Sequence, residues 1–206
     1  MSGGERLEWP VRLSHGLVEL RALRYRDART WLELRERNAD WLREWEPTTP
    51  PPGGRASLSF RQMVRRYAAG ARAGEALPWA VMYDGTLAGQ LSVSNVVWGS
   101  ARMATAGYWI DQRLAGKGIT PTALALAVDH CFFSAGIHRI EVNIRPENHA
   151  SLRVVRKLGF REEGVRERFL HINGEWRDHL SFALTADDVP NGLLRRWTES
   201  RHLAGN

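Results

Sequence analysis

The chain has 206 residues, with 29 Lys and Arg against 23 Asp and Glu, giving a net charge of +6 and a sequence pI near 10.2. That length suits one globular domain with a buried core, and 43% hydrophobic residues with nine Trp exclude wholesale disorder. A single cysteine, Cys131, excludes an intramolecular disulfide framework and a Cys-rich zinc module, while the positive surplus points to an anionic partner without choosing among nucleic acid, a phosphorylated cofactor and an acidic protein.

Residues 1–15 carry Glu5, Arg6, Glu8 and Arg12 with no apolar run, so they do not read as a signal peptide. The longest apolar stretch, 123–133, is broken by Asp129 and His130 and is too short to span a bilayer. A cytoplasmic protein with no membrane partner is expected. Residues 17–23 read as a strand, and Asp27 is expected to cap a helix over 28–37. The proline-rich run 47–54 is a stiff, then flexible loop. Beyond it Phe60, Met63, Val64 and Tyr67 recur at helical spacing, with Arg55, Arg61, Arg65, Arg66 and Arg72 around them and no acid between. Those arginines form a solvated helix face or a contact for nucleic acid.

Two strands, 79–83 and 87–93, flank an Asp84-Gly85 turn, which is a hairpin signal, and a third is expected over 104–110. A helix over 121–135 should start with Thr120 as its cap and Pro121 in its first position, and end at Gly136. A strand over 138–144 places Ile140, Val142 and Ile144 on one face. A short helix over 150–158 stops at Gly159, and a final hairpin turns at Asn173-Gly174. This order predicts an α/β fold: a mixed sheet with helices on its faces, in which the strands 104–110 and 138–144, joined by a helix, run parallel. The expected organisation is one domain over 1–190 and a C-terminal extension over 191–206.

The segment Asp111-Gln-Arg-Leu-Ala-Gly-Lys-Gly-Ile-Thr-Pro121 is the most informative. It is not a Walker loop, because Gly118 stands where Ser or Thr must follow the Gly-Lys pair. It is not the dinucleotide fingerprint either, because Pro121 occupies the third glycine position. What remains is Arg113-x-x-Gly116-x-Gly118 entering a helix. Glycines let backbone N–H groups turn toward an anion, the helix start adds partial positive charge, and Arg113 and Lys117 add full charges, so the loop suits a pyrophosphate. Asn143, Asn148 and Ser151 lie on and just beyond the next parallel strand, whose carboxyl end opens on the same sheet edge. Asn148 can also serve simply as a helix cap, and Ser151 as a polar first-turn residue.

Arg113-Leu-Ala-Gly-Lys-Gly118, Asn148-x-x-Ser151 and Lys157-Leu-Gly-Phe160 together resemble the GNAT superfamily of N-acetyltransferases. Further runs, Trp45-Glu-Pro47, Ser94-Asn-Val-Val97 with Gly99-Ser100, His138-Arg-Ile140 and Ile172-Asn-Gly-Glu-Trp-Arg-Asp-His179, are similar to its ribosomal-protein alanine N-acetyltransferases, the RimJ/RimL group. The likeness covers about residues 17–185. Trp98 stands where a basic residue is expected in that group, and the tail beyond Pro190 is longer. Both differences bear on the substrate.

The resemblance implies a GNAT fold with splayed parallel strands, and acetyl-CoA as co-substrate in the wedge between them, with no metal. It implies backbone donors near Trp109 or Ile110 for the thioester carbonyl, and N–H groups of Leu114, Gly116, Lys117, Gly118, Ile119 and Thr120, with the Arg113 charge, for the pyrophosphate. Asn143 and Asn148 would meet the pantetheine, and Arg153, Arg156 or Lys157 the adenosine phosphate. Ser151 is the candidate acid for the departing thiolate. Glu46, on a mobile substrate loop, and Asp178, half-buried beside Trp176, Leu180 and Phe182, are candidate bases. The implied acceptor is a protein N-terminus, a ribosomal protein's alanine above all, used by a monomer or homodimer. The alternatives are a small-molecule amine as acceptor, or an RNA-binding assembly factor that carries CoA as a ligand. Cys131 falls on a helical stripe with Leu124, Val128 and Phe132, a packing position.

Overall fold

The computed structural model describes residues 8–51 and 58–204, with side chains to His202. Its elements are β1 (Leu13–His15), β2 (Val18–Ala22), α1 (Ala28–Arg37), α2 (Ala39–Arg43), α3 (Phe60–Arg72), β3 (Leu77–Tyr83), β4 (Thr86–Val97), β5 (Met103–Ile110), α4 (Ile119–Phe133), β6 (Arg139–Ile144), α5 (His149–Leu158), β7 (Arg161–Ile172), β8 (Glu175–Thr185) and α6 (Leu193–Ala204). Short 3-10 turns precede α1, α4 and α6. The strands form one eight-stranded sheet in the order β1-β2-β3-β4-β5-β6-β8-β7.

Both two-residue hairpin turns stand where the sequence places them. Asp84 and Gly85 have φ of 48° and 71°, and Asn173 and Gly174 have 46° and 89°, the doubly left-handed backbone that these residue pairs tolerate. β5 and β6 are parallel, as expected from their helical crossover, and pair only from Met103↔Arg139 to Thr105↔Glu141. Beyond those residues β5 keeps its partner β4 as far as Ile110, and β6 keeps β8 as far as Ile144. The two strands therefore part while each stays anchored on its outer side.

Apolar residues cover both faces of the sheet. On one, Leu20, Trp79, Leu91, Ile140 and Phe182 pack with Leu124 and Val128 of α4 and Val155 of α5. On the other, Trp31 and Leu34 of α1 and Val64 of α3 pack against Ala80, Met82 and Leu87. α4 buries residues all round it, because it lies between the sheet and α6. Cys131 is fully buried in that core, and burial pushes its thiol well above the usual range, in keeping with a packing role. Among the described residues no helix is long and apolar enough to cross a membrane.

Several local expectations are corrected. Asp27 is not the side-chain cap of α1. It is buried, and its carboxylate takes a bidentate pair from Arg21 at 2.7 and 2.9 Å and the Arg24 N–H at 2.7 Å. α4 starts at Ile119, not Pro121, and its cap is Gly118 with φ of 79°, not Thr120. Within the segment 191–206, expected as a C-terminal extension, Leu193–Ala204 form α6, whose Leu193 and Trp197 are buried in the main core. Asp129 of α4 caps it through the N–H groups of Leu193 at 2.6 Å and Leu194 at 3.0 Å. Arg55 lies outside the described residues. Arg61, Arg65, Arg66 and Arg72 are all exposed on α3.

Candidate active site

The gap between β5 and β6 opens into a cavity of about 380 Å³. One wall is Trp41, Leu42, Trp45, Tyr108, Trp109, Ile110 and Leu114, the other Asn148, Ser151, Arg153, Val154 and Lys157, with Gly116, Gly118, Ile119 and Thr120 at one end. A largely apolar cleft with a few convergent polar groups and a glycine-cornered helix start suits an elongated ligand with an anionic end.

The glycine loop has the backbone that its sequence predicts. Gly116 and Gly118 have φ of 82° and 79°, a conformation that glycine adopts without strain. The loop is fixed from beneath by Asp111, whose N–H bonds Ala88 O at 2.8 Å and whose carboxylate meets Arg113 and Arg37, each at 2.8 Å. Asn38 Oδ1 accepts the Gln112 N–H at 2.9 Å. Burial of Asp111 opposes ionisation, but the hydrogen bonds from Arg113 and Arg37 outweigh it and hold the carboxyl far below the usual range. A depressed folded-state pKa makes the stabilisation fully present above the unfolded value of about 3.9, and progressively lost as pH falls below it. Asp111→Asn is expected to destabilise the fold by about 1–3 kcal/mol at pH 7. Urea denaturation at pH 7 and pH 3 should show the gap to wild type narrowing at the lower pH. An equal gap at both would remove the charge from the explanation.

Other candidate residues are placed as follows. Trp109, Ile110, Leu114, Gly116, Gly118, Ile119, Thr120, Asn148 and Ser151 line the cavity. Arg113 and Lys117 do not: Arg113 is turned to Asp111, and Lys117 is exposed. Asn143 is also off the lining, where its Oδ1 accepts from Ser181 Oγ at 2.6 Å. Asn148 does cap α5, accepting the Ser151 N–H at 3.0 Å, and lines the cavity as well. Of the cations expected at the adenosine phosphate, Arg153 and Lys157 line the cavity, whereas Arg156 lies 3.9 Å from Glu162.

Between Trp109 and Ile110 the backbone geometry discriminates. Trp109 O points toward β4, lying 2.2 Å from where a Cβ on Gly89 would stand, and the Asp111 N–H also bonds on the β4 side. Alternation along the strand then turns the Ile110 N–H into the gap.

Glu46 follows the lining residue Trp45 but is not itself on the lining, and neither is Asp178. Glu46 forms an ion pair with Arg35, whose guanidinium lies 5.1 Å over the Trp109 ring. The loop that carries Glu46, expected to be mobile, is tied to β7 in its first part. Pro47 bridges Ile172, the Thr48 N–H bonds His171 O at 2.8 Å, and Thr48 Oγ1 lies 2.7 Å from His171 Nδ1. Asp178 is exposed rather than half-buried, and its Oδ1 accepts the N–H of Arg168, a residue with φ of 47° in the β7 bulge. Part of the positive surplus is absorbed in structural pairs, since buried Glu141 holds Arg139 at 2.8 Å and Arg166 at 2.7 Å.

Two features escaped the sequence reading. The Tyr108 hydroxyl lies across the gap, donating to Ser151 O at 3.4 Å, and burial raises its phenol well above the usual range, so it stays protonated. Its signal was only an aromatic at the end of a strand. The other is Gly89, which let β5 approach β4 closely and was hidden in an ordinary strand pattern.

Residues 18–161, which include the two parting strands and the glycine-capped helix, match the acetyltransferase (GNAT) domain. The chain belongs to the GNAT family and is an N-acetyltransferase. Among its relatives, the ribosomal protein uS5-alanine N-acetyltransferase of Escherichia coli strain K12 is 32% identical over 189 residues, 88% of this chain and 94% of its own. Mycobacterium smegmatis RimJ in complex with CoA-disulfide is 38% identical, with a TM-score of 0.87, covering 94% of this chain and 96% of that one. The ribosomal-protein-S5-alanine acetyltransferase of Vibrio fischeri is 28% identical, with a TM-score of 0.76, covering 86% and 98%.

Proposed function

We propose that this chain transfers the acetyl group of acetyl-CoA to the N-terminal amine of a protein, a ribosomal protein beginning with alanine being the preferred acceptor, and that it does so in the cytoplasm. The observation that carries the reading is the wedge itself: two strands parting beside Gly116 and Gly118, in a chain similar over most of its length to a ribosomal-protein alanine N-acetyltransferase. The cavity fits an elongated phosphorylated co-substrate, because its glycine end offers unencumbered backbone donors and Arg153 and Lys157 add charge along one wall.

When bound, acetyl-CoA supplies an activated acyl group. The Ile110 N–H, turned into the gap, would donate to the thioester carbonyl oxygen and stabilise the negative charge that develops there. The neutral amine attacks the carbonyl carbon directly. The C–N bond forms, the C–S bond breaks, the amine loses a proton and the thiolate gains one. An α-amino group has a pKa of about 7.7–8.0, so a carboxylate or water at the mouth suffices as base. Glu46 is the better candidate because the Thr48–His171 contacts hold its loop beside Trp109, whereas Asp178 already binds the Arg168 N–H. Ser151 is the proton source for the thiolate, with the protonated Tyr108 hydroxyl beside it as a second donor.

A small polycationic acceptor would favour an acidic mouth. Glu46, next to the lining residue Trp45, and Glu147, on the lining, are paired with Arg35 and Arg145, which disfavours that alternative. The exposed Arg61, Arg65, Arg66 and Arg72 face of α3 would meet RNA if the acceptor is modified on a ribosomal particle.

The direct test is release of CoA thiol with acetyl-CoA and peptides starting with Ala or Ser. A folded, acetyl-CoA-binding chain that acetylates neither would sink the acceptor reading. Glu46→Gln is expected to lower kcat about 100-fold with little change in acetyl-CoA affinity, and Ser151→Ala to lower kcat about ten-fold, while Asp178→Asn stays within about two-fold. An unchanged kcat in Ser151→Ala would pass the acid role to Tyr108.

A further inference from the structure

α6 reaches the glycine loop and brings Arg201 there, in addition to the exposed Lys117 of the loop itself. Trp197, buried in the core, donates its Nε1–H to Thr122 Oγ1 at 2.9 Å, and that hydroxyl donates to Gly118 O at 2.8 Å. Thr122 is itself buried, so this two-bond relay is shielded from water and fixes α6 against the loop. One helical turn beyond Trp197, Arg201 lies on the same face, with its guanidinium carbon 5.6 Å from the centre of the Trp197 ring. Its Nη1 lies 3.4 Å from where a Cβ on Gly118 would stand, so it borders the position at which the backbone turns into α4.

Three other arginines near this end have partners, whereas Arg153 and Lys157 line the cavity wall and Lys117 is exposed. Arg113 is bound to Asp111, Arg195 pairs with Glu199 at 2.8 Å, and Arg196 donates to Leu158 O at 2.5 Å. Among the described residues Arg201 has no carboxylate partner and only the ring beneath it. Arg201 is exposed over the ring of the relay's tryptophan, beside a glycine-capped helix start and without a carboxylate partner among the described residues, a placement that suits a phosphate.

We propose that Arg201 of α6 binds a phosphate of the co-substrate's nucleotide end, so that the C-terminal helix completes the cofactor site. This rests on the acetyl-CoA reading above. The shared chemistry is a phosphate oxygen, which belongs either to the diphosphate or to the 3′-phosphate of the ribose.

Calorimetric titration of the full chain and its Arg201→Gln and Arg201→Lys variants with CoA and dephospho-CoA tests it, together with KM for S-acetylpantetheine, which has no nucleotide phosphates. Arg201→Gln is expected to weaken CoA about ten-fold and Arg201→Lys less, with KM for S-acetylpantetheine unchanged. A loss kept with dephospho-CoA assigns the contact to the diphosphate, and a loss that vanishes assigns it to the 3′-phosphate. Either result supports the phosphate contact. CoA affinity within two-fold of wild type in Arg201→Gln overturns it, as does an equal penalty on S-acetylpantetheine. A wild-type chain that binds neither CoA nor dephospho-CoA overturns the co-substrate reading itself, a result distinguishable from a loss confined to the variant.

Discussion

Gly118→Glu is expected to abolish detectable CoA binding, a loss of at least about 100-fold, while the chain remains folded. Two effects combine. At φ of 79° any side chain is strained, and a left-handed backbone costs a non-glycine residue about 1–2 kcal/mol. The new Cβ would also stand 3.4 Å from Arg201 Nη1 and 3.7 Å from the Trp197 ring, contacts that a flexible guanidinium relieves by moving. The larger effect is electrostatic. A carboxylate at residue 118 would start beside Arg201, so at the proposed phosphate site it would repel the co-substrate's phosphates and pair with Arg201, cancelling a positive charge at the same point. Gly118→Ala separates the two, since it introduces the strain without the charge, and should weaken binding by only a few-fold to about ten-fold. Calorimetric titration with CoA, with thermal melting as the check on folding, measures both. If the glutamate and alanine variants bound alike, the loop would be a backbone turn and not an anion site.

That experiment probes a feature legible in the residues, and the comparison with neighbouring features shows why others were not. Gly116 and Gly118 could be read as a backbone turn because the conformational demand is local. The same holds for Asp84-Gly85 and Asn173-Gly174, which turn hairpins with the left-handed geometry their chemistry allows. The start of α4 was misplaced because Thr120 and Pro121 are good first-turn residues, yet Gly118 acts as the cap one residue before the helix. Strands β1 and helix α2 are too short to carry a periodic signal. α6 lacked a start signal of its own because its capping carboxylate, Asp129, comes from a helix 64 residues earlier in the chain.

Side chains were harder to read for a related reason. Residue type gave the chemistry of Arg113 and Asn143, but their partners decided where they point. Asp111 takes the first, and Ser181, across the sheet on β8, takes the second. Glu46 was assigned from its loop, and what holds that loop in place is a bridge from Pro47 to Ile172, far away in sequence. The initial excess of positive charge divides accordingly. Part is structural, around Glu141 and Asp111, part faces the cavity through Arg153 and Lys157, and part lies on the outer face of α3.

Gly89→Ala should be the most damaging glycine-to-alanine change among the described residues, although it lies outside every motif. An alanine Cβ there would stand 2.2 Å from Trp109 O, 2.9 Å from Ile110 Cα and 3.1 Å from Trp109 C. All three are backbone atoms, so no rotamer change relieves the overlap, and β5 must move away from β4. Overpacking of this kind destabilises by about 1–3 kcal/mol and by more where the backbone is the obstacle. At about 2–4 °C per kcal/mol for a chain of this size, the melting temperature should fall by roughly 6–12 °C for a loss of about 3 kcal/mol. The displaced segment carries Ile110, whose N–H faces the gap, and Asp111, whose N–H bonds Ala88 O at 2.8 Å and which anchors the glycine loop. A shift of about 1 Å in such a donor costs on the order of 100-fold in rate, so kcat should collapse even in the fraction that stays folded. Gly107 of the same strand is the control, because a Cβ there meets nothing within 4 Å, and Gly107→Ala should melt and turn over close to wild type. If Gly89→Ala melted within about 2 °C of wild type and kept its turnover, the close approach of β4 and β5 could not be what sets the mouth of the wedge.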